Sequence, residues 1–181
     1  MFKKTMEFDN LEGEWARSLD FQRNTLRAYW MYELPAGFSF SGLYLYGSGN
    51  YFSTTLSSLS YNGGGANRLN LGAPIAIPSA IQDRFEGPAV IATGGVVPRN
   101  ALRGEALHRL DLRIAKNFRF GSVNLQGIAE VFNVTNHANY GSYITQVDSP
   151  NFGRPVSVPN FSGLGTAYAP RIGQLAFRLS F

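Results

Sequence analysis

Between Arg109 and Ile114 charged and apolar residues alternate one by one: Leu110, Leu112 and Ile114 are interleaved with Arg109, Asp111 and Arg113. Successive side chains of a strand point to opposite faces, so this spacing predicts a strand with one greasy and one charged face. After Phe118-Arg119-Phe120-Gly121 the alternation resumes, with Val123, Leu125, Gly127, Ala129 and Val131 on one face and Asn124, Gln126 and Glu130 on the other. The interruption is short enough for a hairpin. Near the end Leu175, Phe177, Leu179 and Phe181 alternate with Gln174, Arg178 and Ser180. A further hairpin is predicted from Thr25–Leu34 and Phe38–Tyr46, joined by Pro35-Ala36-Gly37. Pairing Leu34 with Phe38 sets Tyr32 against Phe40 and Trp30 against Gly42, where a large aromatic covers a bare backbone.

Composition agrees with an all-β chain. Of 181 residues, 14% are aromatic, 20 are Gly and only 15% are charged. No stretch approaches the roughly 18 consecutive apolar residues of a transmembrane helix, which excludes a helical membrane protein. A transmembrane barrel is compatible with the mean hydropathy of −0.12, because half of each strand is polar. Without Cys there is no thiol catalysis, disulfide or thiolate metal site. The net charge of +4 is scattered along the chain, so no phosphate-tracking surface forms and nucleic acid is not an expected partner. Residues 1–9 lack the apolar core of a secretory signal, which for an exported chain would lie elsewhere.

Two segments, Gly47 to Glu105 and Asn136 to Ala169, are rich in Gly, Pro, Ser and Asn and show no sustained periodicity. Outer-membrane barrels combine short periplasmic turns with long outer loops, and the short turns here fall near Pro35 and Gly121. With the C-terminus in the periplasm, Arg171–Phe181 runs inward, Ser122–Val134 outward and Ala106–Phe118 inward. The fold class expected is an antiparallel meander of about five strands, part of the wall of a large outer-membrane barrel with long extracellular loops. Five strands cannot close a membrane barrel, which needs at least about eight. Residues 1–181 are therefore expected to be a fragment with free edges at Thr25–Leu34 and Arg171–Phe181, and Met1–Phe8 a remnant of a preceding strand.

Several runs resemble the closing region of TonB-dependent receptors of the acidobacterial type. They are Val97-Pro98-Arg99-Asn100-Ala101-Leu102-Arg103-Gly104, then Leu110-Asp111-Leu112-Arg113-Ile114-Ala115-Lys116-Asn117-Phe118, then Glu130-Val131-Phe132-Asn133-Val134-Thr135-Asn136-His137-Ala138-Asn139-Tyr140-Gly141. Tyr32-Glu33-Leu34-Pro35-Ala36-Gly37-Phe38, followed by Ser41-Gly42, is similar too. The resemblance extends over about Leu19 to Phe181. It implies a barrel of about 22 strands, a plug encoded upstream and uptake of a scarce solute, such as an oligosaccharide or metal chelate, driven through TonB. Gln174, Ala176, Leu179 and Phe181 resemble the signal read by the barrel-assembly machinery, with Ala176 where Gly is usual.

No catalytic, cofactor or metal site is expected. His108 and His137 lie on different predicted segments without an acid at ligand spacing. Gly63-Gly64-Gly65 lacks the Lys and Ser/Thr of a phosphate loop. Arg109, Asp111, Arg113, Gln126, Glu130 and Arg178 are the lumen-facing polar candidates, and Glu130 is expected in a charge network with the arginines of the paired strand, the alternative being direct contact with solute or plug. Arg99 and Arg103 either are solvated loop charges or meet lipopolysaccharide phosphates or an acidic loop. Tyr51, Phe52, Tyr61, Phe152 and Phe161 either stack on a ligand or pack among the loops. Expected partners are outer-membrane lipid and lipopolysaccharide, the barrel-assembly machinery, TonB through the upstream part and a small solute. The competing function is a soluble extracellular β-sandwich that binds carbohydrate, with Tyr32, Phe40 and Leu112 in a dry core.

Overall fold

The computed structural model describes residues 15–19, 21–56, 68–156 and 168–181. Met1–Phe8, Tyr61, Gly63–Gly65 and Phe161 lie outside them. In chain order the strands are β1 (Thr25–Leu34), β2 (Phe38–Gly47), β3 (Tyr51–Phe52), β4 (Ile75–Ala76), β5 (Val90–Ile91), β6 (Leu102–Arg103), β7 (Leu107–Phe120), β8 (Val123–Phe132) and β9 (Ile172–Ser180). The chain forms two units.

The first unit is the sheet, with strand order β1-β2-β7-β8-β9 and every neighbouring pair antiparallel. The predicted register of the first hairpin holds throughout: Leu34 faces Phe38, Tyr32 faces Phe40 and Trp30 faces Gly42. Trp30 covers Gly42 so closely that a Cβ there would run into its ring. Two turns set these registers. Pro35-Ala36-Gly37 turns through positive φ at Ala36 (62°) and Gly37 (77°). Phe120 pairs with Val123 across a two-residue loop whose first member, Gly121, has φ 62°, as a II′ turn asks of Gly. Both short turns lie at one end of the sheet. The connections from β2 to β7 and from β8 to β9 leave from the other, where Gly47 pairs with Leu107 and Phe132 with Ile172.

Register then decides the faces. Even-numbered residues of β1, β2 and β7 share a side with odd-numbered residues of β8 and β9. That side carries Trp30, Tyr32, Phe40, Leu110, Leu112, Ile114, Leu125, Leu175, Phe177 and Leu179, interrupted only by His108 and Lys116 among polar residues. Lys116 lies near the turn end, donates to the Ala36 carbonyl and sits over the Phe38 ring at 4.1 Å. Its charge is thus drawn toward the sheet's rim. Among the described residues no second sheet covers this side: Tyr32 is 60%, Leu175 77% and Phe177 77% exposed. The dry core expected of a β-sandwich around Tyr32, Phe40 and Leu112 is therefore absent from the described residues. A sheet of this kind is stable only with its apolar side in lipid.

The second unit is built from the described residues within 15–21, 50–104 and 143–156, the last two of which belong to the segments without sequence periodicity. Short antiparallel ladders join β3 to β6 and β4 to β5, and a 3-10 turn spans Ser79–Ile81. Around them Ile91, Val97, Leu102 and Phe152 are nearly inaccessible. Two buried polar side chains, Thr54 and Asn70, bond to backbone. Thr54 donates to the Pro98 carbonyl and accepts from the Ala101 amide, while Asn70 donates to the Ala73, Ile91 and Ala92 carbonyls. Such pairing is what permits irregular backbone to be buried.

Candidate functional site

All six polar candidates fall on the side of the sheet opposite the apolar face, because each has the parity that its strand's register assigns there. They do not form one network. Arg113 stands opposite Glu130 across β7 and β8 at 3.5 Å, and Gln174 of β9 donates to the second carboxylate oxygen at 2.5 Å. Gln126 donates to Asn117, its direct cross-strand partner, at 2.9 Å. Arg178 lies opposite Gln126 on the far strand. Arg109 turns away from Glu130 and takes Asp111, two residues along the same face: its Nε lies 2.9 Å from both carboxylate oxygens. The other carboxylate capacity of Asp111 is used by the backbone N–H of Asn133 at 2.9 Å.

This second pair opens onto a recess of about 250 Å³ lined by Arg109, Phe132, Asn133, Ala169, Pro170 and Ile172. The Arg109 guanidinium lies 5.1 Å from the Tyr168 ring and 5.8 Å from the Phe132 ring. The recess is thus a mostly apolar hollow with one planar cation whose charge Asp111 already balances. It can hold a flat or apolar group and offers no nucleophile or acid/base pair.

Sequence reasoning missed the residues that build this end of the sheet. Asn133 is 1% exposed and in the left-handed region (φ 51°), which Asn tolerates better than most residues. Its amide donates to the carbonyls of His137 and Ala169, both at 3.1 Å, and accepts from the His137 N–H at 3.2 Å. One side chain therefore ties the exit of β8 to the approach of β9. Asn139, also 1% exposed, clamps β7: it accepts from the His108 N–H at 2.7 Å and donates to the His108 carbonyl at 2.8 Å. This is the pair of bonds a neighbouring strand would supply. The available signal was the density of Asn in 133–139, since Asn both enters the left-handed region and bonds nearby backbone.

Of the assembly-signal candidates, Gln174 and Ala176 sit on the polar side of β9, Leu179 on the apolar side and Phe181 just beyond the strand. In the loop-built unit Tyr51 and Phe152 are buried, Phe52 meets Tyr143 at 5.0 Å and Phe152 meets Phe85 at 5.7 Å. Among these aromatics the packing reading is the one realised. Arg103 is part of β6 and donates to the Asp83 carbonyl. Tyr51 donates to Glu86 at 2.5 Å and Arg17 to the other oxygen of Glu86 at 3.1 Å. Burial pushes the Glu86 carboxyl up, but the hydrogen bonds from Tyr51 and Arg17 and the charges of Arg17 and Arg103 outweigh it and hold it below the ordinary range. Burial, and then the bond to Glu86, raises the Tyr51 phenol.

An antiparallel sheet with one lipid-compatible face, one ion-paired face, short turns at one end and long connections at the other is a wall of a transmembrane β-barrel. A family model described as outer membrane beta barrel domain matches residues 5–174, and the chain belongs to that family. Its place is the bacterial outer membrane. No curated protein and no solved structure matches it.

Proposed function

We propose that the chain is the C-terminal wall of a TonB-dependent receptor and serves energised uptake of a scarce solute rather than catalysis. The two-faced sheet carries this reading: its apolar side meets lipid and its paired charges line the interior. The long connections then face the cell exterior, where the recess beside Arg109 meets the incoming solute, an oligosaccharide or a metal chelate. Lipopolysaccharide surrounds this end. Further strands complete the barrel, and the plug and the segment that engages TonB lie outside residues 1–181. Gln174, Ala176, Leu179 and Phe181 are the contact for the barrel-assembly machinery.

The test is made in cells that carry the full-length parent protein with single cysteines. A cysteine replacing Thr93, which is exposed in the loop-built unit, is expected to react with a membrane-impermeant maleimide in intact cells. One replacing Ser122, in a short turn, is expected to react only after permeabilisation. Photo-crosslinking of the parent to TonB, lost when the proton-motive force is collapsed, is the expected sign of energy coupling. Reversed labelling overturns the orientation, and an outer-membrane barrel that never crosslinks to TonB overturns the receptor assignment.

A further inference from the structure

We propose that His108 and His137 form a site for one divalent transition ion of borderline softness, Zn²⁺ or Cu²⁺, at the long-connection end of the sheet. Tertiary structure brings the two rings edge to face, with centroids 4.9 Å apart. Each ring already has an oxygen at Nδ1: the Tyr44 hydroxyl lies 3.0 Å from His108 Nδ1, and Asn139 Oδ1 lies 3.3 Å from His137 Nδ1. An amide oxygen only accepts, so His137 carries its hydrogen on Nδ1 and its Nε2 has the free lone pair. The Tyr44 hydroxyl accepts as well as donates, so His108 is free to take the same tautomer when an ion binds its Nε2. Metal-binding histidines use this arrangement, one nitrogen held by an oxygen and the other presented to the ion.

The backbone of the pair is fixed independently. Buried Asn139 bonds both the N–H and the carbonyl of His108, and donates to the His137 carbonyl at 3.1 Å. The site needs little reorganisation, since its ligands are presented from a strand and from a loop clamped to that strand. Among the described residues no group of three or more His, Cys, Asp or Glu surrounds a common point. Two imidazoles therefore supply the protein ligands, and water at the rim of the sheet fills the remaining positions. Neutral nitrogen ligands without a carboxylate select Cu²⁺ and Zn²⁺ over Mg²⁺ and Ca²⁺. The open positions distinguish the site from a closed structural one.

Copper alone is the probe. Cu²⁺ is titrated into the full chain folded in detergent micelles, with sheet content checked by far-UV circular dichroism, and binding is followed by calorimetry and electron paramagnetic resonance. The expected result is one ion per chain with hyperfine structure from two imidazole nitrogens, displaced by excess Zn²⁺ and unmoved by Mg²⁺. His137→Gln, in an exposed loop position, and His108→Gln each leave a one-nitrogen spectrum. Tyr44→Phe keeps both nitrogens and weakens binding about tenfold, as loss of an outer hydrogen bond does at metal-bound histidines. A folded wild-type chain that takes up no stoichiometric ion overturns the proposal. So does a two-nitrogen spectrum that survives in the double His→Gln variant or in denaturant.

Discussion

Phe152 in the loop-built unit is 1% exposed, whereas Phe177 on β9 is 77% exposed. The same side chain thus serves two different solvents. Between strands that look like mere connections, the chain makes a core of its own, with Phe152 against Phe85 and Tyr143 against Phe52. Along the five strands of the sheet, where alternation is strongest, only Ala115 among hydrophobic residues is buried. Regular secondary structure and a protein core are separable here. The sheet's apolar side finds its partner in lipid, and the loops, which meet water, have to bury their own apolar groups.

The largest expected effect divides the two units. Phe152→Ala should destabilise the loop-built unit by about 3–5 kcal/mol, the usual cost of removing a buried Phe. Hydrogen exchange of the Ile91 and Leu102 amides would speed up while that of β7 and β8 stays as it was. Equal acceleration in both would show that the loops have no core of their own.

Next in size is a charge on the lipid side. Leu112→Arg in β7 should cost about 2–4 kcal/mol in a bilayer, and Gln126→Arg, on the opposite face of β8, close to nothing. Urea titration of the folded fraction in lipid vesicles compares them. Similar costs for both would contradict the assignment of faces.

Asn133→Ala tests the joint where long connections meet the sheet. It leaves the His137 N–H and two carbonyls without their partner, for an expected loss of about 1–3 kcal/mol. Exchange at His137 should rise well before that at Leu125, in the middle of β8. Unaltered protection of the loop would make Asn133 a bystander.

The smallest effect is the pH response of the loop-built unit. Glu86 is held below its ordinary value, so its contribution is present at neutral pH and disappears as the pH falls below 4.5. Tyr51 is raised, so its contribution is full below 10.0 and disappears as the pH climbs through the raised value. Tyr51→Phe should shift the acid limb upward, because Glu86 loses a hydrogen bond that favours its charged form. Near-UV circular dichroism across pH follows both limbs, and an acid limb that stays in place after the substitution would remove Tyr51 from the network.

The sheet's order, the register of its first hairpin and the sorting of Leu112 from Arg113 were legible in the sequence. Strand side chains alternate whatever surrounds them, and turns such as Pro35-Ala36-Gly37 and Gly121-Ser122 fix where pairing starts. Neither depends on distant residues. Tertiary structure alone decided that Arg109 takes Asp111 while Glu130 takes Arg113, since the polar face offered each acid more than one arginine. It also decided that Phe152 meets Phe85, that Asn133 and Asn139 hold the strand ends and that His108 meets His137. Those contacts join segments far apart in the chain through irregular backbone, which has no period, so no local pattern announces them until the chain has folded.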